Sequence, residues 1–154
     1  HAANGRLFPD EVLFREPKTP RRPLRALFPD RCHAPVFGLE LFRLLGRSRI
    51  TFNRHTDVVA GSAGNIRLFE ATGMGTCLVT ERCNNVGDLF VEGVEAVTYK
   101  RVEECVEKVR HLIDHPAEAE QIARAGQART LRDHTALARA RTVSEELQKL
   151  VAQA

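Results

Sequence analysis

Between Gly61 and Thr80 the chain reads Gly-Ser-Ala-Gly-Asn-Ile-Arg-Leu-Phe-Glu-Ala-Thr-Gly-Met-Gly-Thr-Cys-Leu-Val-Thr: a glycine-bearing loop, a short helix with one acid, and a buried strand. Gly61 and Gly64 allow backbone N–H groups to approach a ligand closely, and the helix start behind them offers unpaired donors and a positive dipole end. That is chemistry for a diphosphate. Glu70 stands about two turns further along, where a carboxylate that accepts two hydrogen bonds from a vicinal diol would suit a ribose. Read without a ligand, Glu70 is a solvated helix acid or the partner of Arg67 three residues earlier, a common and weak surface pair. Arg67 lies nearer the loop, where a fixed guanidinium is suited to neutralising a diphosphate leaving group. Ser62 and Asn65 read as helix-start residues first and ligand contacts second.

Asn53, Arg54 and His55 follow an apolar run, at the strand end where α/β sites form, and Asn53 or His55 could touch a sugar or a phosphate. Thr80, Glu81, Asn84 and Asn85 occupy the next strand-end loop. Polar residues at strand ends are also ordinary loop starters. His111, His115 and His134 pair with no nucleophile in the sequence, and core, cap or surface positions account for them. The phosphate loop Gly-x-x-x-x-Gly-Lys-Ser/Thr and the nucleophile elbow are both absent, which removes support for P-loop and hydrolase readings. Cys32, Cys77, Cys83 and Cys105 form no Cys-x-x-Cys pair, which argues against structural zinc and fits a reducing, cytoplasmic location.

The elements that must position these residues alternate after residue 35, predicting a parallel sheet with helices against it. Helix is expected over 39–45, 65–72, 85–90 and 101–113, and strand over 49–53, 76–80 and 96–99. Pro116 opens a further helix behind Asp114 or His115, Gly126 is expected to end it, and a long helix runs from about Thr135 to Ala152. Six of the seven prolines fall at or before Pro35, so residues 1–34 read as a proline-rich, mostly irregular segment and 35–154 as the folded domain. Leu7-Phe-Pro-Asp10 is echoed by Leu27-Phe-Pro-Asp30, too little for a repeat protein.

The stretches Pro35-Val-Phe-Gly-Leu-Glu-Leu-Phe-Arg, Ser48-Arg-Ile-Thr-Phe-Asn-Arg-His55, Arg67-Leu-Phe-Glu-Ala-Thr-Gly-Met-Gly-Thr-Cys-Leu-Val-Thr80 and Ile122-Ala-Arg-Ala-Gly-Gln-Ala-Arg-Thr-Leu-Arg-Asp-His-Thr135 resemble, in order and spacing, the donor-binding half of GT-B glycosyltransferases, within the group of CgeB-like spore-maturation proteins. The resemblance implies a Rossmann-like C-terminal half, truncated at its N-terminal side, that binds a nucleotide-diphosphate sugar at the carboxyl ends of its strands. In that family the glutamate of the Arg-x-Phe-Glu segment, here Glu70, meets the ribose, and the loop holding Thr80, Asn84 and Asn85 faces the donor. Retaining members often carry a second glutamate eight positions earlier. Ser62 stands there, so neither retaining nor inverting chemistry follows. The acceptor site is implied to lie on a missing N-terminal half, with no metal or other cofactor required.

Length and composition fit this frame. A chain of 154 residues, 43% hydrophobic and 28% charged, is about one domain. No apolar run nears the ~18 residues that span a bilayer. The His1-Ala-Ala-Asn start reads as a cut end and the chain as a fragment, inactive alone. A formal charge of +3 is too small to make nucleic acid the main partner, and the basic stretch Arg15 to Arg31 lacks interleaved aromatics. The competing class is a non-catalytic Rossmann-like module that has lost donor binding and docks partners through its N-terminus and last helix.

Overall fold

The computed structural model describes residues 22–55 and 61–153. The first Leu-Phe-Pro-Asp copy, Pro9, Pro17, Pro20 and the start of the basic stretch at Arg15 lie outside them. A four-residue helix, α1 (Leu24–Leu27), and a 3-10 turn at Pro29–Arg31 come first, with no buried residue in either. Then follow α2 (Gly38–Arg47), β1 (Ile50–Asn53), α3 (Arg67–Gly73), β2 (Cys77–Glu81), α4 (Val86–Leu89), β3 (Val97–Tyr99), α5 (Val102–Asp114), α6 (Pro116–Asp133) and α7 (Ala136–Ala152).

The three strands are parallel in the order β1-β2-β3, and helices cover both faces of the sheet. A central parallel strand covered on both faces must be apolar throughout, which is why β2 reads Cys-Leu-Val before its polar end. Alternation sends Cys77 and Val79 into one layer, with Val97, Tyr99, and residues Cys105, Leu112, Ala119, Ile122 and Ala123 of α5 and α6. Leu78 goes to the other, among Leu45, Leu68, Ala71, Val86 and Phe90. Burial pushes the Cys77 thiol up to about 11, so it is a core residue and not a nucleophile. The register pairs Asn53 with Thr80 and Thr80 with Thr98, a polar row at the carboxyl ends of the strands on the α3 side.

Most expected spans hold to within one or two residues, and two expectations are corrected. Helix α3 begins at Arg67 instead of Asn65, because Ile66 takes the cap position without a side-chain cap bond and the Asn65 amide is engaged elsewhere. Gly126 does not end its helix, since α6 continues to Asp133. A Cβ on Gly126 would run into the Glu95 carbonyl oxygen. The glycine therefore serves close packing of α6 against the segment before β3. His134 takes the C-cap of α6, donating Nε2–H to the Leu89 carbonyl at 2.9 Å with its ring against Phe69 and Phe90. Helix α7 starts behind Thr135, whose Oγ1 accepts the Ala138 N–H, and buries none of its residues.

Candidate functional site

Strands β1 and β2 end side by side, so the loops leaving them meet. Three hydrogen bonds join them: Asn84 N–H to the Gly61 carbonyl at 2.9 Å, Asn85 Nδ2 to the Ala63 carbonyl at 3.2 Å, and Ala63 N–H to Asn85 Oδ1 at 2.6 Å. Gly61 sits at φ +82°, a left-handed conformation glycine takes without strain, and the Asn84 amide fills the space where a Cβ would stand. Asn85, read from sequence as a ligand contact, spends both ends of its amide on the Ala63 backbone and shapes the loop. Ser62 and Gly64 lie on that loop, half-buried and exposed respectively, and neither caps α3.

Beneath the loops a polar chain follows from the strand register. Asn65 Nδ2 donates to Asn53 Oδ1 at 3.0 Å, Asn53 Nδ2 donates to Thr80 Oγ1 at 3.0 Å, and Thr80 Oγ1 lies 3.1 Å from His55 Nε2. Tyr99 holds the backbone end of the same chain, its hydroxyl donating to the Asn53 carbonyl at 3.1 Å. The His55 N–H donates to Glu81 Oε2 at 3.3 Å. Burial lowers the His55 pKa from 6.5, opposed in part by the Glu81 charge, so the ring is neutral at pH 7.

Glu70 projects from α3 with 16% of its side chain exposed, and Arg67 Nη1 lies 3.1 Å from its Oε2. The contact neutralises charge but lacks hydrogen-bond geometry, for Oε2 is buried without a hydrogen-bond partner. Among the described residues the buried side-chain atoms without a partner are His55 Nδ1, Asn65 Oδ1 and Glu70 Oε2. All three belong to residues singled out from sequence. Burying such an atom costs roughly 1–3 kcal/mol, and all three fall on the β1–α3 connection and on α3 itself.

A groove of about 620 Å³ runs beside β1, lined by Asn53, Arg54, Asn65, Ile66 and Arg67 with Leu41, Leu45, Thr51 and Phe52. A second, of about 580 Å³, opens at the ends of β2 and β3, lined by Glu81, Arg82, Asn84, Glu92, Thr98 and Lys100 among others. Glu70 and His55 line neither. Arg67 overlies Glu70, as the weak-pair reading expected, so it occupies the carboxylate in this state.

A sequence model described as glycosyl transferase-like matches residues 17–145. The chain belongs to that family. No curated protein matches the sequence. Among solved structures this glycosyl transferase-like chain is similar to sucrose-phosphate synthase from Thermosynechococcus elongatus, with a TM-score of 0.52 and 14% identity, covering 59% of this chain and 23% of that one. At that identity the likeness concerns the fold, which is that of a GT-B fragment. The chain spans less than a quarter of that structure's length.

Sequence reasoning missed the roles of Tyr99 and Ala63. A tyrosine in a strand that otherwise buries its side chains signals a hydroxyl needing a partner, whereas nothing in an alanine foretells a clasp. Among the described residues no helix is long and apolar enough to cross a membrane.

Proposed function

We propose that residues 35–154 form the donor domain of a CgeB-like glycosyltransferase, with 1–34 as a proline-rich lead, binding a nucleotide-diphosphate sugar for transfer of a hexose-type sugar. The observation that carries this reading is the set of three unpartnered buried atoms in the connection that leaves the carboxyl end of β1 and on α3. Glu70 accepts the ribose hydroxyls. Arg67 exchanges its carboxylate partner for the diphosphate while the ribose hydroxyls take its place on Glu70. Gly64 and Ser62 let the phosphates approach the loop that Asn85 holds. The acceptor site lies on an N-terminal GT-B half, so this chain alone transfers no sugar. The reading includes no metal or other cofactor, and its four free thiols suit the cytoplasm.

Calorimetric titration with UDP, GDP, TDP and ADP and their sugars tests the proposal. One nucleotide series is expected to bind saturably, and silence from all of them would contradict it. A non-catalytic docking module is the second reading, favoured by the exposed row Leu137, Val143, Leu147 and Leu150 on α7.

A further inference from the structure

A backbone carbonyl accepts and cannot donate, and this gives the polar chain at the site a direction. The Arg54 carbonyl receives Asn65 Nδ2 at 3.5 Å, which turns the amide nitrogen of Asn65 toward both Arg54 and Asn53. Asn53 must then accept through Oδ1 and donate through Nδ2 to Thr80 Oγ1. Thr80 is fully buried, and its hydroxyl proton has His55 Nε2 as its remaining partner, at 3.1 Å. Nε2 therefore accepts. The single proton of a neutral imidazole then sits on Nδ1, the atom that is buried and unpartnered among the described residues. At the other end of the chain Asn65 Oδ1 is left as an unpartnered acceptor. One end offers a donor to a ligand and the other an acceptor.

We propose that Asn53 and Thr80 are positioning residues that hold His55 as its Nδ1–H tautomer, making Nδ1 a hydrogen-bond donor to a phosphate oxygen of the nucleotide. The proposal rests on the donor-domain reading above and deepens it, for it separates the ligand's groups. The phosphate, which only accepts when ionised, belongs at His55, and a hydroxyl belongs at Asn65 Oδ1. It also gives Thr80 a role other than ligand contact, since its hydroxyl is spent on both sides. Burial supports it by keeping the ring neutral. A His55 held in this way cannot serve as a general base through Nδ1, because that nitrogen has no free lone pair.

The first arm of the test uses the whole 154-residue chain without nucleotide. Long-range ¹H–¹⁵N correlation spectra at pH 7.5 distinguish the two tautomers by the nitrogen shifts. Wild type is expected to show His55 with a protonated Nδ1, Thr80→Val to lose that preference, and Thr80→Ser to keep it. A wild-type ring protonated on Nε2 would overturn the proposal, because the chain would then run the other way. That result needs no variant to fold. The second arm compares nucleoside diphosphates with bare nucleosides by calorimetry. Thr80→Val is expected to weaken the diphosphate about tenfold, the scale of one hydrogen bond to a charged group, to leave the nucleoside unchanged, and to be rescued by Thr80→Ser. Equal weakening of both ligands would overturn the phosphate contact. If wild type binds none of them, the donor reading falls and the phosphate contact with it, while the tautomer is decided by the spectra alone.

Discussion

At the scale of single residues, the site is a set of polar atoms kept dry and left incomplete. His55 makes this measurable without a ligand. Its native pKa lies below 6.5 because burial disfavours the charged ring, opposed in part by the Glu81 carboxylate. As pH falls below 6.5 the unfolded chain takes up a proton that the native ring refuses, so stability is lost from there down to the native value and is flat above. Thermal unfolding between pH 7.5 and 5.5 is expected to show that loss, and His55→Gln to reduce it. The positions of Asn53 and His55 at the end of β1 were legible from residue type after an apolar run, and that of Glu70 from its place in the helix behind the glycine loop. The work of Thr80 and Asn85 was not. It depends on the β1–β2 register, which pairs Asn53 with Thr80, and on a clasp between two loops far apart in sequence.

At the scale of elements, hydrophobic period and proline position were sufficient to read the order of strands and helices, since β2 must be apolar on both faces and α5 on one. Gly126 was misread because glycine signals both termination and close packing, and only the neighbour across the gap decides between them. Gly126→Ala is expected to destabilise the chain on the order of 2 kcal/mol, the scale of overpacking, by pushing α6 off the Glu95 carbonyl. Denaturant titration reads that value, and an unchanged midpoint would mean that α6 shifts freely. Asn85→Ala removes both bonds to Ala63 and is expected to cost about 1–2 kcal/mol while speeding amide exchange at Ala63 more than in β2. Uniform exchange through both would show that the clasp is not local.

At the scale of the whole molecule, the chain, a three-stranded sheet between two helical layers among the described residues, belongs to the glycosyl transferase-like family, and its unpartnered buried polar atoms gather on the β1–α3 connection and α3. The α/β class was legible because alternating elements allow few alternatives, whereas a base and a sugar were not, because ribose and phosphate, to which the candidate residues were assigned, are common to all nucleotides. With +3 net charge spread over both signs, single-stranded RNA is expected to bind without saturation at physiological salt, as filter binding across salt concentrations would show. A ligand that binds the native state alone stabilises the entire fold, by about 2.7 kcal/mol at a hundredfold excess over Kd. The most direct measurement is therefore thermal unfolding of wild type and Glu70→Ala with and without each nucleoside diphosphate. A rise in wild-type Tm with one of them, absent in Glu70→Ala, is the predicted result. A rise of equal size in both proteins would contradict the placing of the ribose on Glu70, and no rise with any nucleotide would contradict donor binding itself.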